Sequence, residues 1–280
     1  MLLSPDTAFA LIAALLGLLV GSFLNVVIHR LPKMMHAQWA AQAAEFEGRT
    51  PASQPPYNLW RPPSQCPVCG ARVGTLQNIP VFSYLLLRGK CAHCSAPISP
   101  RYPIVEALTA GLSFWVAAHF GWGLAGASTL ILTWFLIALS FIDADTTLLP
   151  DSMTLPLLWL GLLLNIPATF APLRDAVIGA ACGYVCLWLV YWAFKLTTGR
   201  EGMGYGDFKL LAALGAWLGW KMLLPIVLLS SLAGAVLGMG LIVLARRGRN
   251  IPIPFGPYLA IAGFLTSLYG APFAERLGLR

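Results

Sequence analysis

Long apolar runs, rather than strict alternation, set the pattern of this chain. Runs near 7–28, 103–120, 124–142, 153–170, 175–196, 207–220, 222–245 and 256–274 carry almost no charge. A helix of about 20 apolar residues crosses the hydrocarbon of a bilayer. The pattern therefore predicts an all-α polytopic membrane protein with about eight transmembrane helices. The sixth run is the shortest, and Gly215 and Gly219 lie four apart within it, a spacing that lets helices approach closely. One polar interruption is large, residues 29–102. Inside it, residues 34–47 predict a short helix lying on the membrane surface, with Trp39 and Phe46 suited to the interface. Residues 50–63 hold five prolines and predict an extended connector. Three parts follow: a first transmembrane helix over 1–28, a small cytoplasmic domain over 29–102, and a membrane domain of about seven helices over 103–280.

Composition agrees with the pattern. Of 280 residues, 58% are hydrophobic and only 10% are charged, against about 25% charged in soluble domains. Charge placement then gives an orientation. Residues 1–28 contain no Lys or Arg, so the basic start of a cleaved signal peptide is missing. With the N-terminus outside, 14 of the 18 Lys and Arg fall on the cytoplasmic side, leaving Arg174, Lys221, Arg276 and Arg280 opposite. The reversed arrangement would break the positive-inside rule.

The cytoplasmic segment carries Cys66-Pro67-Val68-Cys69 and Cys91-Ala92-His93-Cys94, with 21 residues between the pairs. Two such pairs predict a tetrahedral site holding structural zinc, closed by four thiolates, with His93 outside it. Two disulfides are the competing reading, and a reducing cytoplasm disfavours them. Eight Lys and Arg spread over these 74 residues form no dense patch, so no nucleic acid partner is expected. Cys182 and Cys186 lie in an apolar run, where they read as packing residues.

Carboxylates are scarce: the whole chain has 11. One group, Asp143, Asp145 and Asp151, follows the third apolar run. Another, Asp207, stands in Gly202-Met203-Gly204-Tyr205-Gly206-Asp207-Phe208-Lys209, at the head of the sixth. The chain crosses the membrane and returns between Asp143 and Asp207, so both reach the cytoplasmic boundary. Two carboxylates there suit an aspartyl dyad, in which one ionised group activates water and its protonated partner polarises a carbonyl. The pair titrates as a unit, so acid and base are not assigned individually. Gly204 and Gly206 would leave room for an extended peptide. The plainer reading keeps Asp207 as an N-cap, with Asp145 and Asp151 in a polar turn or capping the next helix. Lys209 either tunes the dyad, anchors a phosphate headgroup or snorkels to the interface.

Taken together these motifs resemble the bacterial type IV prepilin peptidases. The resemblance covers essentially the whole chain. It includes Gly21-Ser22-Phe23-Leu24-Asn25 through His29-Arg30-Leu31-Pro32, both cysteine pairs, Asn78-Ile79-Pro80, Arg101-Tyr102-Pro103, Asp143 to Asp151, Gly202 to Lys209, and Pro252-Ile253-Pro254-Phe255-Gly256-Pro257. It implies an inner-membrane enzyme whose catalytic aspartates are Asp143 and Asp207, the latter in a GxGD element shared with proteases such as presenilin. It implies cleavage of the basic leader of prepilins and pseudopilins after a glycine. N-methylation of the new N-terminus from S-adenosylmethionine would follow. Gly89 falls on the family's methylation-sensitive glycine; its simpler reading is a turn. No G-x-G-x-x-G fingerprint marks a methyl-donor pocket. Two other classes compete. A membrane transferase would use the Asp143–Asp151 cluster to hold a Mg-diphosphate, and a transporter would show matched halves and charges near the midplane.

Overall fold

The computed structural model describes residues 5–49, 56–74, 76–244 and 254–276. Arg246, Arg247, Arg249, Pro252 and Ile253, and the first two prolines of the 50–63 connector, lie outside the described residues. The fold is mostly helical, and the chain divides into two compact units, residues 1–121 and 122–280. Among the described residues, five helices are long and apolar enough to cross a membrane.

In the first unit, α1 runs from Pro5 to Phe46 without a break. The expected surface helix over 34–47, separate from a first span ending near 28, is thus corrected: one helix covers both. Proline removes one N–H and crowds the preceding turn, yet Met, Ala, Gln and Glu follow at once, and these are strong helix formers. Helix resumes directly. α2 is one short turn, Phe82–Leu86, and α3 spans Arg101–Phe120. α3 packs along α1 because α1 presents glycines to it. A Cβ on Gly17 would lie 2.7 Å from Ser113 Oγ, and one on Gly21 would lie 2.8 Å from Glu106 Cα. Small residues four apart let the two backbones close up, as in membrane helix pairs. Asn25 donates to the Tyr102 carbonyl at 3.1 Å. The buried Glu106 accepts from Val81 N–H at 2.7 Å, tying the cysteine-bearing segment to α3.

The second unit contains α4 (Leu124–Thr146), α5 (Asp151–Leu164), α6 (Leu173–Thr198), α7 (Tyr205–Leu218), α8 (Leu223–Leu244) and α9 (Gly256–Arg276). Its centre is α7. Asp207, Phe208 and every residue from Leu210 to Leu218 are buried, and α5, α6, α8 and α9 all pack on this helix. Fourteen residues rise only about 21 Å, too short to cross a bilayer unaided. Closure against α6 uses backbone on backbone: a Cβ on Gly215 would sit 2.2 Å from the Gly179 carbonyl oxygen. Gly219 does not share that role. It ends the helix at φ 81°, a conformation that favours glycine. Trp217 is fully enclosed, lies over Gly161 and donates from Nε1 to the Leu157 carbonyl at 2.8 Å. Asn165 completes the far end. Its amide donates to the Ala216 and Trp217 carbonyls at 2.9 Å each, and its oxygen accepts from Phe170 and Ala171. A buried amide that is fully satisfied in this way caps the end of α7 and fixes the adjoining loop.

Candidate active site and metal centre

The cysteine segment folds as two copies of one turn, offset by 25 residues. In the first, Cys66 N–H donates to the Ala71 carbonyl and Gly70 N–H returns to the Cys66 carbonyl; Val73 N–H closes on Ser64. In the second, Cys91 N–H donates to Ala96, Ser95 N–H returns to Cys91, and Ile98 N–H closes on Gly89. Gly70 (φ 70°) and Ser95 (φ 57°) hold the same left-handed corner. Within each knuckle, backbone amides point at the first sulfur. Those of Cys69 and Val68 lower the Cys66 thiol to about 6, and those of Cys94 and His93 lower Cys91. Amides that stabilise thiolate prepare it as a metal ligand.

The four sulfurs converge. Cys66, Cys69, Cys91 and Cys94 lie within 4.8 Å of one another, with Cys66–Cys94 at 3.8 Å and Cys69–Cys91 at 4.0 Å. Zinc–sulfur bonds of about 2.3 Å give tetrahedral edges near 3.8 Å, so the donor set fits that ion. His93 contributes its backbone N–H to Cys91 Sγ and is not a member of the cluster. Cys66→Ser is expected to lower bound zinc well below one per chain, read by metal analysis of purified protein; full zinc in that variant would refute the site. Cys182 and Cys186, expected to be packing residues, are exposed on α6 instead.

Gly89 begins the second knuckle at φ 69°, and a Cβ there would meet Tyr84 Oη at 2.9 Å. Both the conformation and the packing call for glycine at this turn.

The carboxylates sort into three kinds. Asp143, on the last turn of α4, is 5% exposed and its Oδ2 accepts the Gly256 N–H at 2.9 Å. Asp207, in the first turn of α7, is 6% exposed, lies within electrostatic reach of Asp143, and has a buried Oδ1 with no partner among the described residues. Asp207 is not the N-cap; that place falls to Gly204, whose backbone is extended. Asp145 is exposed at the end of α4. Asp151 opens α5, behind an N-cap at Pro150, and receives both bonds from Lys209 Nζ, at 2.6 and 2.8 Å. That ion pair ties the first turn of α7 to the start of α5. Among the described residues, the only group of three or more candidate ligands is the cysteine cluster. Asp143, Asp145 and Asp151 do not converge as a diphosphate-bound cation would require.

The glycines before Asp207 differ from one another. A Cβ on Gly206 would press Leu149 Cβ at 2.6 Å, and one on Gly202 would meet the Phe194 ring at 2.9 Å. On Gly204 it would meet only Gly206 N, at 3.9 Å. Gly204 thus faces open space.

Two further features escape a reading by spacing. Gly256 holds Asp143 from 113 positions away, and a Cβ there would fall 2.7 Å from Asp143 Oδ2. The Pro-Phe-Gly-Pro run was its sequence signal. The loop before Asp207 is also latched: Glu201 accepts from Lys195 Nζ at 2.8 Å and from the Tyr191 hydroxyl at 3.1 Å, while the Tyr191 ring packs on Tyr205 and Phe208.

Residues 130–239 match the type IV leader peptidase family, and residues 15–120 match the bacterial peptidase A24 N-terminal domain. A Pseudomonas aeruginosa protein named prepilin leader peptidase/N-methyltransferase is 57% identical over 270 residues, 96% of this chain and 93% of its own. One of the same name from Aeromonas hydrophila is 58% identical over 91% of this chain and 89% of its own. A third, from Burkholderia pseudomallei, is 51% identical over 97% and 88%. No solved structure matches the chain.

Proposed function

Because the chain belongs to the type IV leader peptidase family and carries the bacterial N-terminal domain ahead of the peptidase part, we propose that it removes the basic leader of type IV prepilins and pseudopilins and then methylates the exposed N-terminus. The observation that carries the first activity is the pair Asp143 and Asp207: both buried, mutually within electrostatic reach, one held by a backbone N–H and the other with an unpartnered oxygen. One carboxylate takes a proton from water as the water oxygen bonds to the carbonyl carbon of the leader's last glycine. The other, protonated, donates to the carbonyl oxygen. The carbon–nitrogen bond then breaks as the departing amine receives a proton.

In this reading Gly204 lets an extended substrate backbone pass close above Asp207, and Gly206 lets α7 begin against Leu149. Lys209 and Asp151 hold the head of α7 in register, and Asp145 marks the exposed rim. α5, α7 and α9 lie in the membrane beside the five candidate spans, in a multi-pass protein of the bacterial inner membrane. The N-terminus is periplasmic, with the cysteine domain and the aspartates at the cytoplasmic face and lipid around the rest. Asymmetry of Lys and Arg supports that orientation.

When bound, S-adenosylmethionine would supply a sulfonium methyl to the new amine, which loses a proton, and would leave as S-adenosylhomocysteine. Zinc is structural, and Gly89 serves methyl transfer by shaping the knuckle.

Mass spectrometry of a prepilin incubated with the protein in liposomes tests both activities. The expected result is loss of the leader mass, with about 14 Da gained only when S-adenosylmethionine is present, as one methyl replaces one hydrogen. An unchanged prepilin mass would overturn the reading.

A further inference from the structure

The methyl-transfer reading requires a donor site, and the peptidase family match begins only at residue 130. The first unit contains a groove of about 300 Å³ between α1 and the segments around Leu59–Ser64 and Asn78–Pro80. That volume is at the lower end of small-molecule sites.

Its walls are specific. Arg30 is only 9% exposed, and its Nη1 donates to the Asn58 carbonyl at 2.9 Å and the Leu59 carbonyl at 3.4 Å. The Tyr57 ring lies 5.7 Å from the guanidinium carbon. Among the described residues these two bonds use one nitrogen of a fork that carries five N–H groups. The Asn58 side-chain oxygen in turn accepts from the backbone N–H groups of Trp60 and Arg61 at 2.9 and 2.7 Å, which closes a turn there. Trp60 is 78% exposed and stacks on Phe23 with ring centres 6.1 Å apart. Trp60 and Arg30 both line the groove. Asn78 adds an amide to the lining, while the Ser22 hydroxyl there is already bonded to the Glu106 carboxylate.

Resting on the methyl-transfer reading, we propose that this groove is the binding site for S-adenosylmethionine. Three side chains of the lining match three parts of the molecule, its carboxylate, its adenine ring and its sulfonium. Arg30 would hold the methionyl carboxylate, since a guanidinium pairs with carboxylate through parallel N–H bonds. Trp60 offers a π-face to the adenine ring or to the sulfonium. The Asn78 amide has both the donor and the acceptor that an adenine edge requires.

The test is equilibrium binding, not turnover. S-adenosylhomocysteine is titrated calorimetrically into the full chain in detergent, and S-adenosylmethionine is cross-linked by ultraviolet light and the adduct mapped by mass spectrometry. Arg30→Gln and Trp60→Ala are expected to weaken binding by about tenfold or more, the scale of one lost charge-assisted bond. Trp60→Phe, which keeps a π-face, should restore most of it. Zinc content monitors the fold of the unit, and if Arg30→Gln loses zinc, the exposed Trp60 variants decide. Wild-type affinity in Trp60→Ala, or an adduct outside residues 19–80, overturns the assignment of the groove. A wild-type protein that binds neither molecule overturns the methyl-transfer reading itself.

Discussion

Asp207→Asn is expected to insert, fold and keep its zinc while cleaving prepilin at a rate lower by about 10²–10⁴, the contribution of a positioned acid–base group. Asparagine has nearly the same shape, so the enclosed head of α7 keeps its packing. The amide, however, neither takes a proton from water nor gives one to an amine. Asp143→Asn is expected to match it, because each half of the dyad is useless without the other, and the double variant should be scarcely worse than either single one. Such non-additivity separates a working pair from two residues that act independently. Leader cleavage followed by mass, together with zinc content, decides the matter; brisk cleavage by either single variant would remove the dyad.

Gly256→Ala is expected to lower kcat for cleavage by about 10²-fold with a much smaller change in KM, the loss that follows when a reacting group is displaced by about an ångström. Here the argument is steric and electrostatic together. The N–H of Gly256 sits at the start of α9, where the helix dipole favours a negative partner, and it donates to Asp143 Oδ2. A methyl group would fall 2.7 Å from that same oxygen and 3.0 Å from Asp143 Cγ, so the carboxylate must move. A variant that cleaves at the wild-type rate would show that the contact positions nothing.

These two residues also mark the boundary between what the chain spells out and what only the fold supplies. The cysteine pairs were legible because a metal knuckle is local: Cys66 and Cys69 share one turn, and the motif repeats. Asp143 and Asp207 stood out because carboxylates are rare in apolar sequence and both lie at helix ends. Gly256 was visible as part of a motif but carried no role, since its partner is 113 positions away and no periodicity links a loop glycine to a carboxylate on another helix. Asn165 was silent for the same reason; its four bonds reach the end of α7 and the adjoining loop. The expected break between the first span and the 34–47 helix did not form, because good helix formers downstream outweigh Pro32. At Gly219 a shared spacing with Gly215 concealed two unrelated duties, one in packing and one in ending a helix. The apolar runs located the helices, but not their surroundings: of the two 14-residue helices, α7 is enclosed by its neighbours while α5 leaves Leu155, Trp159 and Leu163 exposed.

The doubled knuckle has a mechanical consequence. Each copy closes its own backbone bonds, and among the described residues the hydrogen bonding between residues 64–73 and 89–98 is confined to sulfur atoms. An ion held by the four thiols therefore works as a rivet joining two prefabricated halves. Withdrawing it would free the halves to swing apart before either one unravels.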